Sequence, residues 1–424
     1  MPSVEQHLPN LYDLVVCMTN AVDLVSPEVA KHHQRVAYLA FKIAEHLGLS
    51  FEEKKSIVLA GLLHDVGALS LDDRLELIER EPLTAENHAY IGAGLLQRFS
   101  YLEEAAEIIR YHHVPWAGGA GRTFRGNQVP VASHILHLAD RIAVQVDLRT
   151  NVIGQIGAIR ESIREKKNTI FMPELVDAFC EMSAQEYIWL DIVYKPLLST
   201  LPDFLTPDTL ELNLDEVMGL TKIFANIIDF RSPFTARHSA GVAGTAEKLA
   251  ELSGFSENEC KMMRIAGNLH DLGKLAVSKE VLEKPDKLDP SEFNAIRSHT
   301  FYTYRLLQSI KGFEIINQWA SFHHEKLSGK GYPFHLQGSG IPLGSRIMAV
   351  ADVFTAITED RPYRAGMSDG ETAAVLDSMV KNNSICPQAV ALLMDNYETI
   401  NDLRCRAEET AALDYQRIIR APED

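Results

Sequence analysis

Residues 256–274 read SENECKMMRIAGNLHDLGK, and residues 50–68 read SFEEKKSIVLAGLLHDVGA. Both segments open with a serine that is followed three residues later by a glutamate, which is the sequence of a helix capping box. Apolar residues at helical spacing follow, and each segment ends just after a His-Asp pair. The pairs His64-Asp65 and His270-Asp271 lie 206 positions apart, so the chain is predicted to be a tandem duplication.

The duplication includes many residues that could bind metal ions. The C-terminal row is His238, His270, Asp271, His299, His323, His324 and Asp352, and the N-terminal row is His32, His64, Asp65, His88, His112, His113 and Asp140. In this order the rows align with an offset of 206 for the first three residues, 211 for the next three and 212 for the last. Nitrogen and oxygen donors without thiolates favour Mn²⁺ or Fe²⁺ over a structural zinc. The first interpretation is a hydrolase with two metals.

Helical periodicity runs through almost the whole chain, and alternating strand-like runs are scarce. The predicted fold is therefore all-α, with one helical bundle in each half. Prolines at 196, 202 and 207 mark the boundary, which gives predicted domains at 1–200 and 208–424. A long apolar helix is predicted to open each half, at residues 11–24 and 210–230.

Composition restricts the class of partner. The chain has 424 residues, 46% of them apolar, which is enough for two cores. A formal net charge of −17 argues against binding to nucleic-acid polymers or anionic membranes, since these reward basic surfaces. No apolar run is long enough to span a membrane, and five scattered cysteines without a CxxC pair favour a reduced cytoplasm.

Further motifs in the C-terminal half narrow the function. The second His-Asp pair continues to Lys274, a glycine-rich loop contains Gly331-Tyr332-Pro333, and residues 360–364 read Asp-Arg-Pro-Tyr-Arg. With these motifs, residues from about 215 to 394 closely resemble the HD-GYP family of bacterial cyclic-dinucleotide phosphodiesterases. The resemblance implies tandem HD-type helical bundles, of which the C-terminal one is catalytic.

The resemblance also implies residue roles. Two divalent metals, Fe or Mn, would activate water, one of them held by His238, His270, Asp271 and Asp352 and the other by Asp271, His299, His323 and His324. Asp271 and Lys274 would act in catalysis, with the lysine meeting a phosphate oxygen or the leaving oxygen. The implied substrate contacts are Gly331, Tyr332, Pro333, Arg361 and Arg364. Some relatives hold a third metal through an acidic residue four positions before the first histidine, where this chain has Phe234, so two metals are expected.

Cyclic di-GMP is the first predicted substrate, with 3′,3′-cyclic GMP-AMP close behind. The predicted product is a linear dinucleotide, and further cleavage to mononucleotide is left open. Two other functions remain: a module that binds the nucleotide without turnover, and an HD hydrolase of another phosphoester. Lys274 and the complete ligand row count against the first, and the Gly-Tyr-Pro loop counts against the second. A homodimer or a signalling partner is also left open.

The N-terminal half keeps its ligand row but lacks the residues that the resemblance assigns to substrate. Ala68 stands at the lysine position, and residues 118–123 read Gly-Gly-Ala-Gly-Arg-Thr in place of the Gly-Tyr-Pro loop. This half is predicted to be a divergent HD domain that binds metal and is either regulatory or catalytically silent. The alternative is a structural domain with an empty site.

Overall fold

In a computed structural model the chain is almost entirely α-helical, which confirms the all-α prediction. The structure describes residues 9–24, 31–68, 85–193, 210–230, 237–284, 286–360 and 365–419. Within these ranges the strands are Thr123–Phe124 (β1) and Asn127–Gln128 (β2), which form one short hairpin. None of the described helices is both long and apolar enough to cross a membrane. The first described helix is α1 (Leu11–Asp23).

The chain divides into two compact units, and the first repeat lies in the unit that consists mainly of Ser26–Thr209. Its described helices are α2 (His32–His46), α3 (Phe51–Leu63), α4 (Ala85–Leu96), α5 (Glu103–Arg110), α6 (Val131–Gln145), α7 (Ile156–Glu165), α8 (Pro173–Met182) and α9 (Glu186–Val193). Short 3₁₀ helices lie at Ser100–Leu102, Ala117–Arg122 and Ile153–Gln155. Helix α2 packs against α3, α6 and α8 and is the central helix of this unit.

The second repeat lies in the unit that joins residues 210–420 to residues 1–25. Besides α1, its described helices are α10 (Leu214–Asp229), α11 (His238–Leu252), α12 (Glu257–Leu269), α13 (Lys279–Leu282), α14 (Pro290–Arg297), α15 (His299–Leu307), α16 (Glu314–Ser321), α17 (Leu343–Thr358), α18 (Asp369–Lys381), α19 (Pro387–Asp395) and α20 (Tyr397–Ile419). Two 3₁₀ helices lie at Leu272–Ala276 and Gly338–Gly340. Helix α11 packs against α12, α17 and α20, so it has the same central place as α2.

Local sequence sets the ends of the central helices. Ser50 and Ser256 each cap the helix that follows, and the glutamate three residues later completes a capping box, as predicted. Gly48 and Gly254, which follow the ends of α2 and α11, have φ angles of +71° and +83°. Glycine adopts this left-handed conformation without the steric cost of a side chain. Short-range interactions therefore fix where these four helices begin and end.

A glycine in each repeat allows the central helix to approach its neighbour closely. A Cβ at Gly61 would lie 2.6 Å from the Cα of Ala37, and a Cβ at Gly267 would lie 2.6 Å from the Cα of Ala243. Only glycine leaves room for the opposing backbone at such a distance. In the first repeat this contact brings the His-Asp pair after α3 next to His32 at the start of α2. In the second repeat it brings the pair after α12 next to His238 at the start of α11.

Helix α1 lies in a different unit from the one that the sequence indicated. The predicted domain of residues 1–200 included it, but α1 packs with the second repeat. The Leu11 N–H donates to the Leu210 carbonyl and the Leu212 N–H donates to the Pro9 carbonyl, each over 3.0 Å. Helix α1 also packs against α15 and the 3₁₀ helix that follows the second His-Asp pair. Hydrophobic periodicity identifies the face of a helix that will be buried but not the surface that will cover it. The sequence-based prediction therefore assigned α1 to the N-terminal domain.

Candidate metal centres

In the second unit, six of the seven predicted ligands form two groups of three. Within each group, one donor atom from every residue lies within 4.8 Å of the others. The groups are His238, His270 and Asp352, and His299, His323 and His324. Helices α11, α12 and α17 position the first group, and α15 and the end of α16 position the second. The two groups are adjacent, since the ring centroids of His270 and His323, one from each group, lie 5.0 Å apart.

Main-chain carbonyl groups orient three of these histidines. Nδ1 of His270 lies 2.8 Å from the Gly267 carbonyl oxygen, and Nδ1 of His299 and of His323 each lie 2.6 Å from the carbonyl three residues earlier. A proton on Nδ1 satisfies that carbonyl and leaves a lone pair on Nε2. The Nε2 atoms of His299 and His323 face each other over 3.3 Å. Among the described residues, Nε2 of His270 has no hydrogen-bond partner. Buried nitrogens that converge in this way fit metal ions.

Asp271 lies between the two groups. Its Oδ2 is 3.3 Å from Nε2 of His270, and its Oδ1 is 3.4 Å from Nε2 of His299. Burial alone would raise the pKa of Asp271, but His270 and Lys274 outweigh burial and hold this pKa well below its usual value. The ionised carboxylate therefore directs one oxygen toward each group, so Asp271 could help to hold a metal ion at either of them.

Lys274 and His324 are the partly exposed residues at one end of this site, which is its open end. The Nζ of Lys274 donates to Oδ2 of Asp271 over 2.5 Å, and a quarter of the lysine side chain is exposed. Burial lowers the pKa of Lys274, but the Asp271 and Asp352 carboxylates outweigh burial and raise it, so the lysine is protonated. The side chain of His324 is 31% exposed. These two side chains mark the side from which a ligand can reach the clusters.

The Gly331-Tyr332-Pro333 loop packs over His324 at this open end. A Cβ at Gly331 would lie 2.5 Å from the Cα of Glu325, so the loop can lie against the chain after His324 only with glycine there. The Tyr332 N–H donates to the His324 carbonyl over 3.3 Å, and the two ring centroids are 5.0 Å apart. Burial raises the pKa of Tyr332, so its phenol stays a neutral hydrogen-bond donor. The Tyr332–Pro333 peptide bond is cis.

Two buried glutamates support the site, and the sequence interpretation had missed them. Oε2 of Glu359 lies 3.1 Å from Nδ1 of His238 and takes the place of the carbonyls that orient the other histidines. Glu325 accepts hydrogen bonds from the N–H groups of Phe334 and Leu336, over 2.7 and 3.0 Å, and so holds the Gly-Tyr-Pro loop. Glu359 follows a predicted ligand by two helical turns, a spacing that could have indicated it.

Phe234, Arg361 and Arg364 lie outside the described residues. The prolines that mark the predicted domain boundary, at 196, 202 and 207, also lie outside them. The substrate contacts expected of the two arginines therefore stay predictions.

The N-terminal unit assembles its own row in the same way. Its groups are His32, His64 and Asp140; His33, His64 and Asp65; and His88, His112 and His113. Oδ2 of Asp65 is 3.2 Å from Nε2 of His64, and Oδ1 is 3.2 Å from Nε2 of His88, so this carboxylate also lies between two clusters. His33 had not been predicted, because its C-terminal counterpart is Ser239 rather than a ligand type. The adjacent His32 was the only signal for it.

This N-terminal cluster is more enclosed than the C-terminal one. Ala68 and His113, the counterparts of the two exposed residues at the C-terminal site, are both buried. Where the other unit has its Gly-Tyr-Pro loop, the 3₁₀ helix Ala117–Arg122 lies close to residues 168–170, to which the main-chain N–H groups of residues 116–118 donate. The same ligand set is therefore present without the lysine and without the open end.

Known proteins match both units. The HD domain family matches residues 222–388 and, separately, residues 29–145. The 3′3′-cGAMP-specific phosphodiesterase 1 of Vibrio cholerae is 31% identical over 407 residues, which cover 91% of this chain and 92% of that relative. The chain belongs to the family of two-HD-domain cyclic-dinucleotide phosphodiesterases.

Two further relatives extend the comparison. A cyclic di-GMP phosphodiesterase response regulator of Xanthomonas campestris is 39% identical over 142 residues, 33% of this chain and 38% of the relative. The crystal structure of a cyclic GMP-AMP-specific phosphodiesterase of V. cholerae has a TM-score of 0.63 and 24% identity over 92% of this chain and 98% of that one, so it shares the fold. Membership of the two-HD-domain phosphodiesterases confirms the predicted tandem fold and enzyme class.

Proposed function

We propose that the second unit opens a 3′,3′-linked cyclic dinucleotide to a linear dinucleotide, with cyclic GMP-AMP preferred to cyclic di-GMP. The observation that carries this proposal is Asp271, which directs one oxygen toward each of two ligand clusters. The sequence motifs predict cyclic di-GMP as the first substrate. Cyclic GMP-AMP is placed first because the relative named for 3′3′-cGAMP matches 91% of the chain, whereas the cyclic di-GMP phosphodiesterase of Xanthomonas campestris matches 33%.

Two divalent metals, Fe or Mn, fit the two clusters with Asp271 between them, since every donor is a nitrogen or an oxygen. When bound there, they would supply an activated water and neutralise the charge that develops on a phosphodiester. The role of the protein's own residues is to keep the imidazole lone pairs directed toward the two clusters. Main-chain carbonyls do this for three histidines, and Glu359 does it for His238.

Lys274 would serve as a protonated donor to a phosphate oxygen or to the leaving oxygen. Its contact with Asp271 places the ammonium beside the carboxylate that lies between the clusters, and its partial exposure leaves it open to a ligand. Lysine cannot itself bind a metal while protonated, because it then has no lone pair. The role of Lys274 would therefore be separable from metal binding.

We infer that the N-terminal site holds metal without turnover and serves the fold or regulation. The converging buried donors support metal binding, with His33 as an additional nitrogen. Ala68 removes the ammonium that the other site has, and the enclosed position of His113 leaves no counterpart of the open end.

The test uses the full chain, stripped with a chelator and reloaded with Mn²⁺ or Fe²⁺. Cyclic GMP-AMP, cyclic di-GMP and mononucleotide phosphoesters are supplied separately, and the products are resolved by chromatography. We expect metal-dependent formation of linear dinucleotide, faster from cyclic GMP-AMP. Asp271→Ala should abolish it, whereas Asp65→Ala, the same change at the matched N-terminal position, should not.

Each alternative function has its own outcome in this assay. Tight binding of a cyclic dinucleotide without product would favour the module that binds without turnover. Hydrolysis of mononucleotide phosphoesters alone would favour an HD hydrolase of another class. Faster hydrolysis of cyclic di-GMP would restore the substrate order that the sequence predicted.

A further inference from the structure

Arg297 lies beside the open end of the C-terminal site and is held there by aromatic rings. It is the last residue of α14, two positions before the candidate ligand His299. Its guanidinium carbon lies 5.0 Å from the ring centroid of Tyr332 and 5.8 Å from that of Phe293. A guanidinium that stacks on an aromatic face keeps its N–H donors at the edge, where they can still form hydrogen bonds.

The guanidinium of Arg297 is not engaged by a carboxylate among the described residues. Several other described arginines form ion pairs, including Arg264 with Glu247 and Arg404 with Glu408. The side chain of Arg297 is also partly exposed. A fixed cation that has neither a carboxylate partner within the described ranges nor full hydration is well placed to meet an external anion.

The ring that holds Arg297 is the one that packs on the metal site. The guanidinium carbon of Arg297 lies 5.0 Å from the ring centroid of Tyr332, and the ring centroid of His324 also lies 5.0 Å from it. Arg297 and the candidate ligand His324 therefore contact the same aromatic ring. A ligand that placed one phosphate at the cluster would present its next group at this arginine.

The N-terminal repeat provides an internal comparison. His88 is the counterpart of His299, and the residue two positions before it is Glu86 instead of an arginine. That repeat also has Ala68 in place of Lys274. The basic residue is thus present where the features of a phosphodiesterase site are present, and an acidic residue, which would repel phosphate, is present where they are not.

We propose that Arg297 binds the second, unreacting phosphodiester of the cyclic dinucleotide while the first lies at the metal clusters. This inference rests on the proposed function of the same site. The planar guanidinium matches the two free oxygens of a phosphodiester, and stacking on Tyr332 fixes its orientation before substrate arrives. Because the second phosphate does not react, its contact stabilises ground state and transition state alike and acts on KM more than on kcat.

The test compares full-length, metal-loaded Arg297→Met and Arg297→Lys with Arg305→Met as the matched control. Arg305 also stacks on aromatic rings, those of Phe301 and Tyr304, but its guanidinium donates a hydrogen bond to the side chain of Gln308. For cyclic GMP-AMP, Arg297→Met should raise KM about tenfold or more, with a much smaller change in kcat and with wild-type metal content. Arg297→Lys should recover part of this loss, and Arg305→Met should behave as wild type.

An unchanged KM in Arg297→Met would overturn the inference while leaving the proposed function intact, provided that wild-type protein cleaves the substrate. Loss of metal from Arg297→Met would also overturn it, because the arginine would then support the metal site instead of the substrate. If wild-type protein cleaves neither cyclic dinucleotide, the proposed function fails, and this inference fails with it.

Discussion

Leu14→Ala should destabilise the second unit, although Leu14 is only the fourteenth residue of the chain. Its side chain is fully buried in α1, and α1 packs with residues 210–420. Deleting a buried leucine side chain costs about 2–5 kcal/mol, from lost burial and from the cavity that remains. That loss is a large share of the roughly 5–15 kcal/mol by which a domain is stable.

The assay is amide hydrogen exchange by mass spectrometry on the chelated full-length protein, because bound metal would stabilise the native state and mask the effect. A loss of about 2 kcal/mol or more corresponds to exchange that is roughly 30-fold faster for amides that exchange through unfolding of the unit. We expect this acceleration in α11, α12 and the 3₁₀ helix Leu272–Ala276, while residues 31–68 keep wild-type exchange. Leu39→Ala is the matched control, since Leu39 is fully buried in α2 and should give the opposite pattern.

Faster exchange in residues 31–68 of Leu14→Ala, with unchanged exchange in residues 238–276, would contradict the packing of α1 with the second unit. Because α1 packs with residues 210–420, an isolated segment of residues 208–424 should lack part of its hydrophobic core. The isolated segment should therefore gain stability when α1 is added to it as a separate peptide.

Four further predictions concern the two sites. Asp271→Ala should lose C-terminal metal and turnover while circular dichroism shows unchanged helix content; full activity with unchanged metal would exclude a dinuclear centre. Lys274→Ala should retain metal but slow turnover tenfold or more, about 1.4 kcal/mol of barrier, and an unaltered rate would make this lysine a surface charge. Glu359→Gln should weaken metal binding about 10–100-fold, measured by titration against a chelator, since it orients a ligand histidine. His64→Ala with Asp65→Ala should lower the metal stoichiometry and the melting temperature and leave dinucleotide cleavage intact; lost cleavage would show that the N-terminal site takes part in it.

Sequence alone determined the features that depend on neighbouring residues. The capping boxes at Ser50 and Ser256 and the stops near Gly48 and Gly254 are short-range, so they can be read from a few adjacent positions. The two ligand rows could be identified because the duplication repeats their types and spacings. The fold class and the candidate ligands therefore followed from the printed sequence.

Tertiary structure decided everything that depends on which surfaces meet. An amphipathic helix buries its apolar face against any surface of matching shape, so only the fold shows that α1 covers the second unit. Glu359 contacts a histidine 121 positions away, and Arg297, at the end of α14, stacks on the Tyr332 ring of the Gly-Tyr-Pro loop. His113 and His324 occupy equivalent places in the repeat, yet one is buried and the other partly exposed. Burial and long-range pairing are properties of the packed chain, because each depends on segments that the local sequence does not specify.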